Sequence, residues 1–246
     1  MFPDFTLNGF IFSLYKGKGD RLSLDNDRGI FILSVVKMII DKMNYNDCYD
    51  TIDSNMSDSQ IGGRKNRNIR NHLFILYSIV NHVKHGGSKP IDITAYDVEK
   101  CFDSLWLREC INDLYEAGIT DDRLVMTYES NKNNKVIICS PVGPTPEIEI
   151  DEAVMQGSSW GSILCSNQLG QIGGDKNKRN EYLYRYKNEV DIPSLEMCDD
   201  VLDISECGIK SVMSNAYINA KFELKRLLSN TQREEHTFLS RPQGAQ

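Results

Sequence analysis

SLEMCDDVLDI, Ser194 through Ile204, sets two adjacent carboxylates between two short apolar runs. Ser194–Cys198 and Val201–Ile204 read as strands, and Asp199-Asp200 falls in the tight turn joining them. Upstream, IDITAY (Ile91–Tyr96) is a third strand, between Pro90 and an acid, Asp97. Carboxylates at strand ends are held rigidly, and two or three that converge can bind a divalent cation through hard oxygen ligands. Acids this far apart in sequence meet only if their strands are neighbours in one sheet. A solvated turn is the other reading of an Asp-Asp pair. Asp121-Asp122, just beyond the helix-stopping Gly118, is read that way. By spacing alone both readings stay open at residues 97 and 199–200.

Outward from these strands the pattern alternates between helix and strand. Ile30–Met43, apolar on nearly every side, reads as a buried helix, and residues 46–60 as a polar loop. Ile69, His72/Leu73, Leu76, Ile79/Val80 and Val83 repeat at helical spacing, and Gly86-Gly87 closes that helix. Leu105–Ala117 and Ser158–Ile172 are further helices. Lys135–Ser140 and Glu147–Val154 form strands joined through PVGPTP. Tyr182–Tyr186 is a short strand. Tyr217, Ala220, Leu224 and Leu227/Leu228 mark a last helix. Residues 229–246 are an irregular tail. Strands and helices interleaved with hairpins argue an α+β fold.

The 246 residues carry 28 Lys+Arg against 35 Asp+Glu, a net charge of -7, which excludes a strongly basic coat for nucleic acid but leaves room for a local basic groove. Seven cysteines, an odd number without a CxxC pair, fit free thiols in a reducing, intracellular setting. His82 and His85 lack a second ligand pair and read as surface residues. No apolar run is long enough to span a bilayer, so no membrane partner is expected. MFPDFTLNGF at the start lacks the features of a signal peptide.

The order of the pieces then adds to their chemistry. ITAYDVEKCFDSLW (93–106) resembles the first catalytic motif of reverse transcriptases. AVMQGSSWGSILC (153–165) resembles their motif with Gln-Gly at a helix start, and LEMCDDVLDI their Tyr-x-Asp-Asp hairpin. YKGKGDR and NDRGIFILSVVKMII, then SQIGGRKNRNIRNHLFIL, look like the two finger motifs of non-LTR retrotransposon enzymes. The resemblance implies a right-hand polymerase with fingers (14–90), a palm with interleaved fingers elements (91–228) and an antiparallel palm sheet, after an N-terminal segment (1–13).

By the same resemblance Asp97, Asp199 and Asp200 match the catalytic metal ligands, for two Mg²⁺ that Mn²⁺ can replace. Phe102 matches the aromatic beneath the incoming sugar that disfavours a 2′-hydroxyl. Gln156 and Gly157 match the pair near nucleotide and template. Lys16 and Arg28 match basic finger positions on the triphosphate, and Arg64 the arginine of the second finger motif. A basic cluster such as Arg64, Lys65 and Arg67 is otherwise a solvated face. The implied activity is RNA-directed DNA polymerisation from deoxynucleoside triphosphates on a primed RNA or DNA template. Its rivals are a catalytically inactive remnant and a nucleic-acid-binding scaffold. Met197 stands where the hairpin Tyr is usual, and Gly63 where an aromatic is. No thumb and no lysine-bearing motif are legible after residue 228, so a longer polyprotein is expected to supply that grip.

Overall fold

Phe10, Phe12 and Leu14 alternate along Asn8–Tyr15 (β1), and Ile30 and Ile32 alternate along Asp27–Leu33 (β2). The two strands pair antiparallel, with Phe10 opposite Ile32 and Phe12 opposite Ile30. The computed structural model describes residues 8–21, 23, 26–87, 89–98, 101–140, 143–152, 154–155, 157–173, 184–187, 189–192, 194–225 and 235–239. The chain divides into two units, residues 1–55 with 105–164 and residues 56–104 with 165–246.

In the first unit, β1 also pairs parallel with β4 (Lys132–Ser140), which continues into β5 (Gly143–Pro144) and β6 (Ile148–Glu152) by antiparallel pairing. Helix α1 (Val35–Asn55) differs from expectation at both ends. Ile30–Leu33 belong to β2, because the alternating β-branched residues find a partner strand in β1. The helix then runs through residues 46–55, which read as loop. In its first half the apolar pattern is inverted, with Lys37, Asp41 and Asn44 buried while Val35, Met38, Ile39 and Met43 are exposed; further along, Tyr45, Cys48, Tyr49 and Ile52 are buried. The buried polar side chains meet helix α5 (Asp122–Asn131), where Ser130 Oγ donates to Asp41 Oδ1 while Asp41 Oδ2 accepts no hydrogen bond among the described residues. Lys37 donates to the Ser130 carbonyl and lies 3.9 Å from Asp41, and the Asn44 amide donates to Thr127 Oγ1 at 2.9 Å. Asp121 is exposed, as read, and also caps helix α5, its carboxylate accepting from the Arg123 N–H.

The second unit is built on a sheet in the order β11-β3-β10-β9, from Glu235–Leu239, Ile91–Asp97, Asp200–Glu206 and Ser194–Met197, all antiparallel. The strand β11 corrects the expected irregular tail. Edge pairing is made by backbone groups, so a polar segment without alternation can still take the place. One face carries Ile91, Ile93, Leu195 and Ile204, packed on Ile79 and Val83 of helix α2 (Ile69–Lys84) and on Tyr184. The opposite face is bound to helix α7 (Ile209–Leu224) by hydrogen bonds. Ser211 donates to Asp92 at 2.6 Å, Ser214 to Asp203 at 2.7 Å, and Tyr96 to Asn215 at 2.7 Å. That helix begins eight residues before Tyr217, where its apolar spacing becomes legible.

Cys101–Ser104 is a single helical turn, α3, and α4 (Leu107–Glu116) follows it. Helix α6 (Gly161–Gly173) crosses from one unit's residues to the other's. A small hairpin, β7 (Tyr184–Tyr186) with β8 (Val190–Ile192), completes the second unit. Among the described residues no helix is long and apolar enough to cross a membrane.

Candidate active site

Period-two alternation decides where the acids stand. On β3, residues 91, 93, 95 and 97 share a face, and on β10 residues 200, 202, 204 and 206 do. Asp200 lies opposite Asp97 in the register of the two strands, as Ile204 lies opposite Ile93. The two carboxylates are thus cross-strand neighbours on one face, at the end of the sheet where β9 turns into β10. Cys198 and Asp199 form the turn, and Cys198 holds φ at +53°. Asp200 is already the first residue of β10, so the expected Asp-Asp turn is displaced by one residue.

Like charges set opposite each other in a sheet repel. The Asp200 carboxyl is accordingly pushed above the usual carboxylate range, first by lost solvation and then by the charges of Asp199 and Asp97. Carboxylate oxygens are hard donors that suit a divalent cation. Among the described residues, however, no three His, Cys, Asp or Glu side chains are grouped to hold a metal ion as they stand. Phe102 is half-buried on α3, five residues beyond Asp97.

The hairpin tip is held by a residue to which the sequence reading gave no role. Gln60 is fully buried; its Nε2 donates to the Cys198 carbonyl at 3.2 Å and its Oε1 accepts from the Cys198 N–H at 3.0 Å. The same oxygen accepts from the Gly62 N–H at 2.8 Å. Residues 59–61 run beside β9, Ser59 and Ile61 exchanging backbone bonds with Glu196 at 3.0 Å each. Gly62 passes so close that a Cβ there would stand 2.2 Å from the Cys198 nitrogen. The Gly62-Gly63 pair was the available signal of a close backbone approach, and the approach is to the acid-bearing hairpin.

Arg64 is buried, its Nη1 donating to the carbonyls of Ser57 at 2.7 Å and Gln60 at 2.9 Å. It closes the loop that presents Gln60. Lys16, Arg28 and Gly157 lie in the first unit. Lys16 follows β1 and Arg28 sits opposite Leu14 on β2, both exposed. Gly157 holds φ at +119°, and a Cβ there would meet the Phe31 carbonyl at 2.8 Å, so only glycine fits. Gln156 lies outside the described residues.

No protein-family model matches the sequence, and no curated protein does. Solved structures do match. The apo telomerase of Candida tropicalis, truncated from its C-terminal domain, superposes with a TM-score of 0.66 at 14% identity, over 98% of this chain and 52% of that one. The Candida albicans telomerase in complex with a TWJ fragment of telomeric RNA gives 0.60 at 13% identity, over 97% and 42%. The BmCPV RNA-dependent RNA polymerase at its elongation state gives 0.58 at 13%, over 92% and 20%. The chain therefore spans about half the length of the first of these and a fifth of the last. The likeness shows the fold, which is that of nucleic-acid polymerases.

Proposed function

We propose that the chain is the fingers-palm core of an RNA-directed DNA polymerase, related to the reverse transcriptases of non-LTR retrotransposons. The observation that carries the reading is the cross-strand pairing of Asp97 with Asp200 next to the Asp199 turn, in a polymerase fold. RNA as template is supported by the structural neighbours: one is held with telomeric RNA, and another is an RNA-dependent polymerase.

In this reading Asp97, Asp199 and Asp200 hold two Mg²⁺, or Mn²⁺. Bound there, the ions supply charge neutralisation for nucleotidyl transfer to a primer 3′-hydroxyl. The remaining work falls to the chain itself. Gln60 fixes the hairpin tip, so that the carboxylates stand at set positions before substrate arrives. Lys16 and Arg28 offer positive charge to a triphosphate. Gln156 and Gly157 approach nucleotide and template, and Phe102 lies under the sugar and selects against a 2′-hydroxyl. Arg64 acts at one remove, through the Gln60 loop.

Because the acids are not gathered around an ion site as they stand, a second reading has support: a nucleic-acid-binding chain without catalysis. Extension of oligo(dT) on poly(rA) with Mg²⁺ or Mn²⁺ at low salt separates the two. The polymerase reading expects metal-dependent extension that Asp199→Asn abolishes while its circular dichroism is unchanged. Template binding without extension by the folded wild type would establish the second reading instead.

A further inference from the structure

Two buried cysteines of the second unit stand side by side. Cys101, on the turn α3 beside Phe102, and Cys165, on helix α6, are 4% and 0% exposed, and their Sγ atoms stand 3.1 Å apart. Cys198 at the hairpin tip lies close by, within 3.8 Å of the hydroxyl of Ser166, the residue after Cys165. All three are free thiols. A disulfide bond is about 2.05 Å long, so the two sulfurs need to close by only about 1 Å. Their places along the chain give the pair a consequence. The chain leaves the second unit after Ser104 and re-enters it at Cys165. The two cysteines bracket that excursion.

We propose that Cys101 and Cys165 are an oxidation site, forming a reversible disulfide that staples the base of the 105–164 insertion. With a peroxide as oxidant, one thiol sulfur attacks the O–O bond and becomes a sulfenic acid, releasing a first water with its proton. The second thiol sulfur displaces the sulfenic oxygen, forming S–S, and the departing hydroxide takes that thiol's proton as a second water. The two thiols lose two electrons and the peroxide gains them. The hydrogen bond with Cys101, then burial, hold the Cys165 thiol far above its usual range, so little thiolate is present and the reaction is slow. Once formed, the bond closes a long loop and restricts the unfolded chain, so the oxidised protein melts at higher temperature.

The test treats the folded protein with hydrogen peroxide for hours, blocks remaining thiols in denaturant, and maps tryptic peptides by mass. The expected product links the Cys101–Arg108 peptide to the peptide containing Cys165, with loss of two hydrogens, and dithiothreitol reverses it. Fragment ions distinguish Cys165 from Cys139 in the same peptide. The melting temperature should rise by several degrees on oxidation, and neither Cys101→Ser nor Cys165→Ser should show the rise. Recovery of both cysteines as blocked thiols, or linkage of either one to Cys198 instead, overturns the proposal.

Discussion

Gln60 is the residue on which the acid-bearing hairpin most depends, and it is 138 positions away from the turn it holds. Gln60→Ala removes both bonds to Cys198 and leaves buried backbone groups without them. The expected cost is about 1–3 kcal/mol in urea unfolding. Template extension should fall further than the stability loss explains, because the carboxylates lose their fixed position. Equal retention of extension would remove Gln60 from any positioning role. Distance explains why its part was not legible: nothing in SQIGGR names a partner so far along the chain. Asp97 was legible, because IDITAY alternates cleanly and the acid comes where alternation stops. His72 gives the pH response. Burial pushes its imidazole below the usual range, partly offset by the Ser59 carbonyl. The unfolded chain therefore binds more protons near and just below pH ~6.5. The stability this contributes is present above that pH and lost as pH falls towards the lower folded value. Urea midpoints compared between neutral and mildly acidic pH should drop less in His72→Gln than in wild type.

At the scale of the element, helix α1 shows how a sequence pattern can point the wrong way. Its apolar residues suggested a buried helix ending near Met43, yet in its first half the buried residues are Lys37, Asp41 and Asn44, against helix α5, and its buried apolar residues, Tyr45, Cys48, Tyr49 and Ile52, all come after Met43. Burial follows hydrogen bonding here: Lys37, Asp41 and Asn44 each bond to helix α5, so part of the desolvation cost is offset, although Asp41 Oδ2 accepts no hydrogen bond among the described residues. Removing one partner exposes that cost. Lys37→Met should destabilise by about 3–5 kcal/mol, whereas Lys37→Met with Asp41→Leu should recover much of the loss. Denaturant midpoints of the two variants check this, and equal losses would refute it. Helix α2 follows local rules that were readable. Gly86, at φ +76°, ends α2 after Val83, and its N–H returns to the Val83 carbonyl. The strand β11 was unreadable because its pairing is made by backbone at a sheet edge.

For the whole molecule, charge sets the terms of binding. A net charge of -7 repels a nucleic acid, so affinity has to come from a few local cations. Binding should weaken steeply with salt, and Lys16→Ala with Arg28→Ala should flatten the log–log salt slope by about 2, one for each lost phosphate contact. Fluorescence anisotropy on a labelled primer-template measures the slope; an unchanged slope places the contacts elsewhere. The chain's interleaving has a further consequence, in the order of synthesis. Strand β3 lies between β10 and β11, and both are made long after it. At about 5–20 residues per second, a ribosome takes about 5–20 s to deliver β10 once Asp97 has been added. Throughout that interval the apolar strand bearing Ile91 and Ile93 has neither sheet neighbour. The nascent chain is then open to aggregation at that strand, and the acid pair cannot assemble until β10 has left the ribosome.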